Sequence, residues 1–207
     1  MMKNLLVALA AVWFMGCKQG CTPNLTAGIN ALRARLETPG GCLRQPLVID
    51  TVSSRFFRHT MFLRARCMAE HGDSVAATVG IHRGVGVFLL DAPQDVNFMT
   101  REDTVTVIDS SNAVSYAVEI MRFMGALPYP LHVIVDDDEL LALQDDYGIV
   151  GGPRKGTRFL AMVGPAFDVQ LVASGRTVLL SVGVLVNPDG SVTTYDKRVY
   201  DRNPAIL

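Results

Sequence analysis

The chain has 207 residues, of which 49% are hydrophobic and 19% charged, with 18 Gly, 10 Pro and a formal net charge of −1. That is enough apolar side chain for one ordinary core, and too much for a disordered, collagen-like or coiled-coil chain. The near-zero charge offers no basic excess for nucleic acid, so no nucleic-acid partner is expected.

The chain opens with a cation, Lys3, followed by an uncharged apolar run from Leu5 to Met15 that ends in Gly16-Cys17. About a dozen apolar residues are too few to span a bilayer, which takes roughly 20 in a helix. A charged start and a short apolar segment closed by small residues are the pattern of an export signal. Ala8-Leu9-Ala10 lies inside the apolar run and would leave Trp13-Phe14-Met15 on the mature end. Phe14-Met15-Gly16-Cys17 instead resembles the lipobox of bacterial lipoproteins, with Phe14 where Leu is usual. The resemblance covers about the first 18 residues and none of the rest. It implies a signal peptide at 1–16, a lipidated Cys17, a tether at 17–22 and a single domain at 23–207. Two or more acyl chains would anchor such a protein stably, since each buried methylene contributes about 0.8 kcal/mol. Lys18 after the cysteine, in place of Asp, implies by the same resemblance the outer membrane, with the domain facing the periplasm.

The four cysteines, Cys17, Cys21, Cys42 and Cys67, all fall in the first third of the chain. With Cys17 lipidated three remain, and in an oxidising compartment one is left over. The expected disulfide joins Cys42 to Cys67, with the two pairings through Cys21 as alternatives; a loop of about 25 residues contributes on the order of 3 kcal/mol in the chain-entropy account.

Thr22-Pro23 starts a helix in which Leu25, Ile29, Leu32 and Leu36 form one stripe, stopped by Pro39-Gly40-Gly41. Strands are expected at 47–52, about 57–69, 74–82 and 85–91. Around His71-Gly72-Asp73, a three-residue loop sets Cys67 opposite Ala77, Ala65 opposite Val79 and Leu63 opposite Ile81. That register gathers the apolar residues on one face, leaves Arg64 and Arg66 on the other, and separates His59 from His82. A register shifted by one would put both histidines on one face and suggest a metal site.

From about residue 103 the pattern turns to strand and helix in alternation. Residues 104–108 read as a strand, Asp109 to Asn112 as capping residues, and Val114, Ala117, Val118, Met121 and Met124 as a helix face. After Pro128-Tyr129-Pro130 comes a strand at 131–135, and a strand, helix and strand of this length predict a right-handed parallel crossover. A third helix is expected at 137–146, capped by Asp136 with Glu139 completing a capping box. Strands follow at 157–163, 167–173 and 177–186. Asn187-Pro188-Asp189-Gly190 then makes a type I turn closed by a left-handed Gly, returning the chain in a strand at 192–200. The strand at 178–186 is almost wholly apolar and belongs inside the sheet; the next carries Asp196, Lys197 and Arg198 and suits an edge. The fold class is therefore α+β, a mostly antiparallel sheet with about three helices and one βαβ crossover.

Charge is unevenly spread. Residues 33–83 hold eight Arg against four acids, residues 84–150 two Arg against twelve acids, and residues 151–207 seven cations against four acids. This reads as acidic helices beside basic strands in one fold, or as a charged face for a cationic partner or divalent ion.

The chemistry motifs fail in detail. Gly151-Gly152-Pro153-Arg154-Lys155-Gly156-Thr157 lacks the Lys between the last Gly and Thr that a phosphate-binding loop requires. Asp136-Asp137-Asp138 lacks the sixth-position glycine and twelfth-position glutamate of a calcium loop. There is no Gly-x-Ser-x-Gly, Ser-x-x-Lys, Cys-x-x-Cys or His-x-x-x-His, and His59, His71, His82 and His132 are dispersed. Arg154, Lys155 and Arg158 are the best candidates for binding a small anion. No catalytic residue, metal or cofactor is expected. Function reduces to two expectations: an anchored envelope lipoprotein whose domain binds a protein or polymer, or a membrane-tethered hydrolase or anion-binding protein. A deep pocket holding His132 with an acid and a hydroxyl would favour the second, and a shallow surface with an exposed apolar patch the first.

Overall fold

The computed structural model describes residues 22–36, 48–68, 74–90, 92–124, 132–175 and 178–203. The expected signal peptide, Cys17, Cys21, Cys42, the turn at His71-Gly72-Asp73 and the Pro128-Tyr129-Pro130 segment lie outside the described residues, as does the side chain of Cys67.

Among the described residues four helices and nine strands follow one another: α1 (Thr22–Leu36), β1 (Val48–Val52), β2 (Thr60–Met68), β3 (Ser74–His82), β4 (Gly86–Leu89), α2 (Pro93–Asp103), α3 (Ser110–Phe123), β5 (His132–Val133), α4 (Asp137–Tyr147), β6 (Arg158–Val163), β7 (Ala166–Ser174), β8 (Val178–Val186) and β9 (Val192–Asp201). The strands form two antiparallel sheets, one in the order β1-β2-β3-β4, the other β5-β7-β8-β9 with β6 also on β7. Strand β7 carries β5 on Ala173 and Ser174 and β6 on Ala166 to Gln170, so the two short strands lie end to end along it. Thr157 bridges them: its hydroxyl donates to the Val172 carbonyl and accepts from the Val172 amide, each at 2.9 Å.

The layers follow from which residues are apolar. On the first sheet, Leu63, Ala65, Ala77, Val79 and Ile81 pack beneath Leu32 and Leu36 of α1. Its other face sends Phe62 into the main core, where α2 and α3 lie between the sheets with Val96, Met99, Tyr116, Ala117 and Ile120. Val169, Leu171, Val182 and Val184 close this core from the second sheet. Leu140 of α4 covers Val172 and Leu179 on that sheet's far side. Each helix thus buries a stripe against a sheet, the layering that amphipathic elements require.

Several expectations hold in register. α1 and α4 stand where the leucine stripe and the Asp136 cap put them, and Asp136 accepts from the amides of Asp138 and Glu139 at 2.8 and 3.0 Å. The β8–β9 turn is closed by Gly190 at φ 75° with its amide 2.9 Å from the Asn187 carbonyl. β8 lies between β7 and β9, and β9 is an edge.

Three points are corrected. The β2–β3 pairing sets Leu63 opposite Val79, Ala65 opposite Ala77 and Cys67 opposite Val75. This is a slip of two residues from the expected register, and an even slip preserves the faces. Secondly, there is no βαβ crossover among the described residues: every strand pair is antiparallel. The segment 105–108 finds no strand partner, its Val107 amide bonding instead to the Pro188 carbonyl of the β8–β9 turn at 2.8 Å. Thirdly, the described residues form four helices where about three were expected. The additional one, α2, begins with Pro93 and with Asp95 accepting the Ala92 amide at 3.1 Å, and ends at Thr104 with φ 53°. Proline in the first turn and a carboxylate reaching back are helix-start chemistry that the sequence did display.

Candidate functional site

Polar side chains of the described residues gather in four groupings that bear on chemistry. At the start of β2, the Asp103 carboxylate accepts the amides of Arg58 and His59 at 2.9 to 3.2 Å. His59 stands in the bend before the strand, where alternation does not apply, so the expected separation of the histidines fails: its ring meets that of His82 edge-on at 6.4 Å. His82 is buried, and its Nδ1 accepts the Gly84 amide at 3.3 Å. No group of three metal-ligating side chains forms among the described residues.

Between β1 and β2, the Ser54 hydroxyl donates to the Glu119 carboxylate while accepting the amides of Phe56 and Phe57 at 3.0 Å. Burial pushes the Glu119 carboxyl above its ordinary range, against the opposing Ser54 bond. No histidine joins this pair among the described residues, and its bonds tie the β1–β2 connection to α3.

The third grouping surrounds α4. His132 Nε2 pairs with Glu139 at 2.7 Å in an exposed position, so Glu139 turns to the histidine rather than back to its cap. Lys155 donates to Asp137 at 2.8 Å, and the Gly156 amide donates to the other Asp137 oxygen at 2.8 Å. Those two bonds hold the Asp137 carboxyl below the usual carboxylate range. The anion held by the candidate loop is thus the protein's own carboxylate. Arg154 is exposed in that loop, and Arg158 is exposed at the start of β6.

The fourth grouping is the outer face of the second sheet where α4 does not cover it. Register places Arg158, Gln170, Gly183 and Tyr195 side by side across β6, β7, β8 and β9. Directly opposed residues share a face. A Cβ on Gly183 would lie 2.3 to 2.5 Å from Tyr195 ring carbons, so the ring lies flat across the glycine. Its hydroxyl reaches over β8 to donate to Asp168 of β7. That bond, with the carboxylate charge behind it, pushes the Tyr195 phenol up to about 12. Gln170 donates to Ser181 at 3.3 Å on the same face.

The register needed to find this row was in the sequence: the turn at 187–190 sets Gly183 opposite Tyr195, and a lone glycine in an apolar strand marks a close approach. Beside the row, β6 exposes Leu160 by 43%, Met162 by 50% and Val163 by 51%. It is bulged between Phe159 and Ala161. Of the three candidate anion ligands, Arg158 alone belongs to the row.

Comparison of the chain with protein-family models, with curated proteins and with solved structures gave no match.

Proposed function

We propose that this chain is a bacterial envelope lipoprotein, held by lipid on Cys17, whose domain is a non-catalytic binding module for an envelope protein or polymer. The observation that carries the binding half is the second sheet's outer face beyond α4, where the ring of Tyr195, seated over Gly183 and bonded to Asp168, lies in line with the exposed Arg158. The His132 ring, by contrast, is exposed and bonds to Glu139, and no hydroxyl bonds to it among the described residues. The anchoring half rests on Gly16-Cys17 at the end of the apolar run. A Cys42–Cys67 disulfide and an outer-membrane position facing the periplasm belong to the same proposal. The test is membrane fractionation of wild type and Cys17→Ser in a Gram-negative host. Wild type in the outer-membrane fraction, and the variant lost from it, is the expected result; equal partitioning of the two refutes the anchor.

A further inference from the structure

We infer that the Arg158–Gln170–Tyr195 row binds an acidic oligosaccharide, with a sugar ring stacked on Tyr195 and a sugar carboxylate held by Arg158. The inference rests on the polymer-binding reading above and gives the polymer its chemistry.

The ring of Tyr195 has the two properties a stacking platform needs. Its underside is closed by the backbone of Gly183, and its direction is fixed by the bond to Asp168. Its outer surface stays in water, with the residue 40% exposed. The C–H face of a pyranose is the complement of such a surface: apolar in the middle and ringed by hydroxyls that need partners. Those partners are at hand, since the Asp168 carboxylate accepts from hydroxyls and the Gln170 amide both accepts and donates.

Charge selects the acidic members of that class. The Arg158 side chain makes no ion pair or hydrogen bond among the described residues, acting on the Asp137 carboxylate only through its charge, whereas Arg198 on the same sheet is tied to Asp196 at 2.9 Å. A guanidinium matches a carboxylate through two parallel hydrogen bonds. Spacing fits as well. The ring lies over β8 and Arg158 stands on β6, two strands away. At about 4.8 Å per strand that is about 10 Å, close to the length of a disaccharide.

The test is calorimetric titration of the full-length protein with a hexuronate tetrasaccharide, a neutral glucose tetrasaccharide and a tetra-aspartate peptide. Wild type binding the acidic sugar about tenfold or more tighter than the neutral one supports the inference. Tyr195→Ala is expected to lower that affinity about tenfold or more, as loss of a stacking surface does. Arg158→Gln is expected to erase the acidic preference while leaving neutral-sugar binding in place. Because Tyr195 and Arg158 are exposed, both variants should fold, and circular dichroism checks this. No binding of either sugar, equal binding of both, binding of the peptide instead, or affinity indifferent to Tyr195 would each overturn the inference. None of these would touch the membrane-fractionation result, so failure here and failure of the anchor are separable.

Discussion

Replacing Gly183 with alanine puts a methyl group where the ring of Tyr195 lies, within 2.3 to 2.5 Å of three ring carbons. No real contact is that short, so the ring must leave the sheet. The cost follows from what is displaced. Overpacking in a closed core costs about 1–3 kcal/mol, but Tyr195 borders solvent and can swing out, which places the steric part near the bottom of that range. The lost bond to Asp168 is exposed and adds at most about 1 kcal/mol. The expected total is about 1–2 kcal/mol, read from urea denaturation. In a Tyr195→Ala background the sign reverses: with the ring gone, alanine is expected to stabilise by about 0.5–1 kcal/mol, since glycine costs that much inside a strand. A second readout is spectroscopic. Wild-type Tyr195 titrates at about 12, and releasing it from Asp168 returns it toward 10.0. Phenolate absorbance near pH 10.5 is therefore expected to exceed wild type in Gly183→Ala and in Asp168→Asn. A Gly183→Ala penalty that persists without Tyr195, or unchanged phenolate absorbance, would refute the stacked geometry.

The other predictions concern the frame that holds this face. Tyr116 is fully buried, and its hydroxyl donates to the Gly190 carbonyl at 2.8 Å while meeting Thr100 at 3.0 Å; Tyr116→Phe leaves that carbonyl unpaired and is expected to cost about 1–3 kcal/mol in chemical denaturation. Asp136→Ala removes the acceptor for two amides of α4 and is expected to lower stability by about 0.5–2 kcal/mol, with Asp138→Ala as the exposed comparison. Glu119 titrates above its ordinary value of 4.5 because burial disfavours its charge. The folded state therefore keeps this proton longer than the unfolded chain, and the group subtracts stability as pH rises from about 4.5 through the folded value. Glu119→Gln stays neutral throughout, so its stability relative to wild type is expected to rise between pH 4 and pH 7. A difference that stays flat or falls over that interval would contradict the assignment.

The parts of the fold that could be read from sequence are those set by local chemistry. Asn187-Pro188-Asp189-Gly190 dictates its own turn, the Leu25 to Leu36 stripe its own helix, and Asp136 its own cap. The β2–β3 faces were also legible, because an even slip of register leaves them unchanged. What failed depended on distant partners. Residues 105–108 alternate like a strand, with Val105 and Val107 buried and Thr106 and Ile108 exposed, yet no strand among the described residues pairs with them. The parallel crossover inferred from them fell with that missing partner. The candidate site divided in the same way. Lys155 reads as a free cation in sequence, and only the fold shows Asp137 beside it. Arg158 reads as one of three equivalent cations, and only the sheet sets it in line with Gln170 and Tyr195.

The intact mass of the mature protein, isolated from Gram-negative membranes, tests the proposed anchor most directly. The account predicts a chain that begins at Cys17 and carries added acyl mass, with that mass lost from Cys17→Ser. An unmodified chain that retains residues 1–16 would contradict it.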